Sequence, residues 1–327
     1  MGYEIMSAPI LSIVVPCYNE QEVFNLCLDE LSSRIVEMID KGKINTRSHI
    51  VFVDDGSKDA TWSLIQNASN NNKLVKGVKL SRNKGHQTAL MAGLSSCIDS
   101  DITVSIDADL QDDTAVIEKM VDSYLTGHDI VYGVRNDRTS DSFFKKFTAE
   151  AFYKIMTKLG VSQVENHADF RLLSKRALHS LLQYKEQNLY IRGLIPLIGF
   201  PSESVYYSRS ERAAGESKYP LKKMLALALE GITSFSVTPL RIVTALGFII
   251  SILSSVGVVY TLIQYFLGHT VSGWASMILA VLFIGGVQML CLGVIGEYIG
   301  KIYMESKKRP KFFTESKIGF NENDGNM

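Results

Sequence analysis

The stretch ITVSIDADLQD (residues 102–112) starts as a short, β-branched apolar run and ends in three aspartates and a glutamine. The run reads as a buried strand, and a strand feeding a core seldom ends in so much acid without a positive partner. Asp107 and Asp109 stand two residues apart, so in extended chain their carboxylates share a side. Like charges so placed repel unless a cation lies between them. Hard oxygen donors suit Mg2+ or Mn2+, with phosphate oxygens completing the shell. Gln111 offers a further oxygen, and Asp112 reads as a cap or flank of the next helix. Two solvated surface aspartates are the plain alternative, and a lone D-x-D does not separate the two readings.

The surrounding sequence decides in favour of a site. Residues 10–16, 49–55, 74–80, 102–107 and 128–134 are strand-like, and 20–40, 59–70, 86–97 and 113–126 are helical between them. That alternation predicts an α/β fold, a mostly parallel sheet with helices on both faces. The strands end in PCYNE, DDGS, SRNKGH, DADLQD and RNDR, all at carboxyl ends, the edge where open α/β sheets bind ligands. Residues 136–220 read as helical segments and loops covering that edge. Lys84 and Gly85 open a helix whose N-terminus favours a phosphate, with a solvated lysine the plain alternative.

Lys+Arg and Asp+Glu both number 34, so net charge gives no argument for a nucleic-acid partner. Residues 242–267 and 274–295 contain no Asp, Glu, Lys or Arg, and each exceeds the ~18–20 apolar residues that cross a bilayer. Separated only by GHTVSG, they predict a transmembrane hairpin. Arg241 precedes it, and Lys301, Lys307, Lys308, Arg309 and Lys311 follow it, while the connecting loop has no Lys or Arg. The positive-inside rule then places residues 1–241 and the C-terminal tail in the cytoplasm, on an inner membrane. The first residues carry no secretory or myristoylation pattern. The four cysteines have no metal or redox spacing and fit a reducing compartment. The expected division is a soluble domain over 1–217, an amphipathic interface helix over 218–239, a hairpin over 240–303 (spans about 242–267 and 274–297), and a basic tail over 304–327.

SIVVPCYNE (12–20), VDDGS (53–57), SRNKGHQTAL (81–90), DADLQD (107–112), ADFRLLSKRA (168–177) and RAAGESKYP (212–220) occur in order. With two spans and a basic tail, the chain resembles the polyprenyl-phosphate glycosyltransferases of glycosyltransferase family 2. Its likeness is to the bactoprenol glucosyltransferases and, more distantly, to the dolichol-phosphate mannose synthases, over roughly residues 10–312. The resemblance implies a GT-A-type, Rossmann-like sheet and a nucleotide cradle of Pro16, Tyr18 and Glu20. Asp55 would bond the base, and Val53 would shape the strand end. A helix start with Asn19 as cap, and a DGS turn, are the competing structural readings. Asp107, Ala108, Asp109 and Gln111 match the metal and diphosphate centre, Lys84 and Arg135 lie near the phosphates, and Arg212 and Lys218 belong to a loop folding over the diphosphate. Asp169 matches the catalytic aspartate, with Asp109 beside it at the reacting centre. A lipid monophosphate, with a second pKa of about 6 by analogy with phosphoserine, hardly needs a base. Asp169 is therefore expected to position a cation such as Arg171, or to orient the sugar.

The implied reaction is inverting, metal-dependent transfer of a sugar from a UDP-sugar to undecaprenyl or another polyprenyl phosphate, serving cell-envelope glycans. Glucose is the leading sugar. Leu197 stands where bactoprenol glucosyltransferases commonly have Trp, which leaves N-acetylglucosamine and other sugars open. Implied partners are a homo-oligomeric copy, a lipid-sugar flippase and a downstream glycosyltransferase. A processive polysaccharide synthase would carry Q-x-x-R-W, but Gln187 is followed by NLYIRG. A non-catalytic partner of a flippase is the rival from another class. It would not require Asp107, Asp109 and Asp169 all to be present.

Overall fold

A computed structural model describes residues 8–136, 167–187, 189–208, 238–267 and 273–320. The chain forms two compact units. The first is an eight-stranded sheet: β1 (Leu11–Cys17), β2 (His49–Asp54), β3 (Val75–Leu80), β4 (Ile102–Ser105), β5 (Ile130–Arg135), β6 (His167–Ser174), β7 (Ser202–Tyr207) and β8 (Thr314–Ile318), in the order β7-β5-β6-β4-β1-β2-β3-β8. Its helices are α1 (Phe24–Asp40), α2 (Thr61–Asn71), α3 (His86–Ser95), α4 (Val116–Leu125), α5 (Lys175–Leu182) and α6 (Ile191–Leu197).

β1 pairs in parallel with both β2 and β4. The chain thus winds away from β1 in two directions, and the crevice above its carboxyl end is the topological switch point where such sheets bind ligands. β1, β2 and β4 are buried at every residue, which suits strands covered on both faces. α3 lies close enough to the sheet that a Cβ on Gly93 would overlap Val14 and come within 2.7 Å of Val53 Cγ2. That contact fixes the helix whose first residues enter the site. Gly93→Val is expected to cost about 1–3 kcal/mol, as overpacked cores do; a lower melting temperature would show it.

The expected five strands and four helices are present, with ends shifted by a few residues. Residues 136–220 depart from the sequence reading. They contain β6, which is antiparallel between β4 and β5, and β7, which is parallel to β5. Arg171 disguises β6 as a polar loop or helix. Its side chain is 1% exposed because Asp169, on the same face two residues earlier, carries its counter-charge. The segment read as a basic tail also returns to the sheet, where β8 pairs with β3. It covers an edge that would otherwise present unpaired backbone groups. Gly77 makes room for this docking: a Cβ there would meet Ile318 Cγ1 at 2.8 Å.

The second unit contains α7 (Thr238–Phe266) and α8 (Trp274–Ser306). Both are long and apolar enough to cross a membrane. Large side chains stand open, such as Phe248 at 69% and Phe266 at 82%, and α8 runs about two turns beyond the expected end of its span. These helices associate the protein with a membrane. The expected interface helix over 218–239, apart from its last two residues, lies outside the described residues.

Candidate active site

The crevice above β1 is built from two interlocked strand-end loops. Asn19 takes a left-handed φ of 56°, its Oδ1 accepts from Lys58 N at 2.8 Å, and Ser57 Oγ accepts from its N–H at 3.0 Å. Glu20 N donates to Thr61 Oγ1 at 2.9 Å. Asn19 therefore ties the PCYNE loop to the DDGS loop and does not cap α1, which starts only at Phe24. Tyr18 is left 41% exposed at the rim, while Pro16 and Val53 are paired, buried positions beneath it. Val53 is fully buried, with its Cγ2 against Gly93 of α3.

Asp55 is buried, and both its oxygens are occupied: Oδ1 accepts from Lys84 N at 2.7 Å and Oδ2 from Gly85 N at 2.8 Å. Burial raises its pKa against these bonds. The carboxylate expected to read a base also holds the loop before α3.

On the other side of β1, the antiparallel sense of β6 brings its first residues to the carboxyl end of β4. Ser105 is opposite Arg171, and continuing that register by two residues sets Asp107 across from Asp169. Ser105 Oγ donates to Asp169 O at 2.5 Å and fixes this alignment. The Asp169 carboxylate receives Arg171 Nη2 at 2.5 Å, Arg192 Nη2 at 3.1 Å and Nε at 3.2 Å, and Gln87 Nε2 at 3.4 Å. His86 Nε2 lies 3.3 Å from Asp169 Oδ2 and 3.5 Å from Asp107 Oδ1, bridging the two acids. Burial alone would raise the Asp169 pKa, but His86, Arg171 and Arg192 hold it well below the ordinary carboxylate range. Asp107 goes the other way. Burial raises it, and the charges of Asp169, Asp112 and Asp109 add to that rise against His86.

Gln111 is 6% exposed, and its N–H donates to Asp109 Oδ1 at 3.2 Å across a turn where Leu110 has φ 51°. Ala108 is buried in the core. Asp112 differs from the sequence reading. It caps nothing, and its Oδ1 accepts from Tyr207 OH at 2.6 Å and from Arg135 Nη2 at 2.9 Å. Arg135 is thus held at the edge by a buried carboxylate and a β7 tyrosine. Arg212 and Lys218 lie outside the described residues.

Among the described residues, no group of three or more His, Cys, Asp and Glu could hold a metal. The acid around Asp107 is all carboxylate oxygen and raises its own ionisation cost. It suits a hard divalent cation that takes its other ligands from a bound phosphate. Asp107 and Asp109 fit that role; Gln111, buried and folded into the turn, fits it less well.

Sequence reading missed His86, Gln87 and Arg192. The first two follow directly on Lys84 and Gly85 at the same strand edge, so their position could have marked them. Arg192 has no such mark, because only the packing of α6 brings it to Asp169.

A mostly parallel sheet with acids and arginines gathered at its switch-point edge is the architecture of the GT-A-type glycosyltransferases. The chain belongs to glycosyltransferase family 2: residues 12–182 match that family, and residues 238–302 match the GtrB C-terminal hairpin. An uncharacterised glycosyltransferase of Bacillus subtilis, YkoT, is 53% identical over 94% of this chain and 91% of its own length. The bactoprenol glucosyl transferase of Shigella phage SfX is 38% identical over 94% of this chain and 99% of its own. Glucosyl-3-phosphoglycerate synthase from Mycobacterium tuberculosis aligns at 18% identity, covering 69% of this chain and 79% of its own, with a TM-score of 0.46.

Proposed function

We propose that this glycosyltransferase moves a monosaccharide, with glucose the leading sugar, from a UDP-sugar to polyprenyl phosphate, with inversion and with a divalent cation. The observation that carries the reading is the line of contacts Asp107, His86, Asp169, Arg192 at the switch-point edge. It puts an acidic, metal-suited end beside a cationic end, as a reaction between a diphosphate donor and an anionic acceptor requires. Curated relatives named bactoprenol glucosyl transferase, similar over nearly their whole length, support the acceptor class.

Asp107 and Asp109 would hold the cation, which neutralises charge on the departing diphosphate when bound. Arg135, fixed by Asp112 and Tyr207, offers further positive charge at the same edge. Tyr18 remains open to pack on the nucleotide. Asp169 is a poor proton acceptor with its lowered pKa, and a phosphate dianion does not need one. Its place in the reaction is to hold the arginines.

The basic flanks of the hairpin support a cytoplasmic active site on the inner membrane. The pairing of β8 with β3 supports the same side for both ends of the hairpin, since the chain rejoins the catalytic sheet after its second apolar helix. Leu197, 56% exposed, keeps N-acetylglucosamine and other sugars in the test. Purified full-length protein, given undecaprenyl phosphate, Mn2+ and a panel of UDP-sugars, is expected to yield one polyprenyl-phosphate sugar by mass spectrometry. EDTA should stop UDP release. No glycolipid from any donor would overturn the reading.

A further inference from the structure

We infer that Arg192, anchored on Asp169, is the seat for the acceptor's phosphomonoester. This rests on the reading of the chain as a polyprenyl-phosphate glycosyltransferase and assigns the atoms that recognise the phosphate.

Charge is the first argument. Asp169 carries one negative charge and touches two arginines. Arg171 is 1% exposed and serves as the buried counter-ion. Arg192 is 39% exposed, so its charge is the one an entering ligand can reach. A dianionic phosphate entering a site lined with Asp107, Asp109 and Asp169 meets repulsion unless a cation stands at its entry.

Geometry is the second. Arg192 spends Nε and one hydrogen of Nη2 on Asp169. Its Nη1 has no hydrogen bond among the described residues, so one edge of the guanidinium remains to bind phosphate oxygens. Gln87 locks the arrangement. Its Nε2 reaches Asp169, while its Oε1 accepts from Ile191 N at 3.1 Å, next to Arg192. The arginine is therefore preorganised before ligand arrives.

Order along the edge is the third. Asp107 lies at one end of the contact line and Arg192 at the other, with His86 and Asp169 between them. The metal-suited end belongs to the donor diphosphate, which leaves Arg192 for the second phosphate. Phosphate could also reach Arg192 as part of the donor, and the experiment separates the two sources.

Wild type, Arg192→Gln and Arg192→Lys, as full-length protein in detergent, would be titrated with UDP and Mn2+, with undecaprenyl phosphate and with undecaprenol. Transfer would be assayed in parallel. Losing a hydrogen bond to a charged group is expected to weaken undecaprenyl phosphate binding and raise its KM about 10- to 100-fold in Arg192→Gln. UDP affinity should stay within about twofold, the preference for the phosphate over undecaprenol should vanish, and Arg192→Lys should recover part of the loss. Weakened UDP binding with unchanged acceptor binding would assign Arg192 to the donor and overturn the inference, as would no change in either. If Arg192→Gln fails to fold, Arg192→Lys carries the same comparison: unchanged acceptor affinity and KM at a guanidinium-free position would sink the seat. Wild type that binds undecaprenyl phosphate through Arg192 yet transfers nothing would refute the function alone. Full transfer by Arg192→Gln would refute the seat alone.

Discussion

Asp169→Asn is expected to lower transfer to undecaprenyl phosphate by about 100-fold or more, the scale on which loss of a transition-state electrostatic contact acts. The same change leaves Arg171 as a buried charge without its partner carboxylate, and breaking a buried pair costs about 3–5 kcal/mol. A lower melting temperature should therefore accompany the lost activity. The pH dependence separates a base from an anchor. If Asp169 removed a proton from the acceptor, raising the pH would supply the dianion and rescue the variant. As an anchor it leaves a deficit that stays constant from about pH 5 to 8.5, on both sides of the phosphate's own pKa of about 6. Recovery at high pH would return Asp169 to the role of base. Near-normal turnover throughout would remove it from the machinery.

Much of this site is legible in the sequence because strand ends are. ITVSIDADLQD announces both a buried strand and the acid at its end, and β1 to β5 follow from β-branched runs between turn residues. What hides is whatever depends on a partner far along the chain. ADFRLLS looks unlike a central strand until Asp169 is seen to neutralise Arg171. Asp112 looks like a helix flank until β7 brings Tyr207 to it across 95 residues. Asp55 reads as a ligand contact, and its backbone partners Lys84 and Gly85 lie some thirty residues on. Thr314–Ile318 looks like a polar tail until the open edge of β3 offers it hydrogen bonds. In each case local composition is right about polarity and silent about the partner.

Asp107 gives the second large effect, with opposite signs for function and stability. Its pKa is raised by burial and by Asp169, Asp112 and Asp109, so its ionised form is disfavoured in the folded protein. A raised carboxyl pKa means that ionisation costs the native state stability at pH above the unfolded value. Asp107→Asn removes that charge and should melt at a higher temperature than wild type in metal-free buffer near neutrality. In acid, below the unfolded carboxyl pKa, both proteins carry a neutral group there and the gain should disappear. The same variant should lose about 100-fold or more of its transfer activity, because the group suited to the divalent cation is gone. Mn2+ should raise the melting temperature of wild type and leave the variant unmoved. An Asn variant that melts lower than wild type without metal, while keeping its response to Mn2+, would show that Asp107 serves the fold through His86 and does not hold the cation.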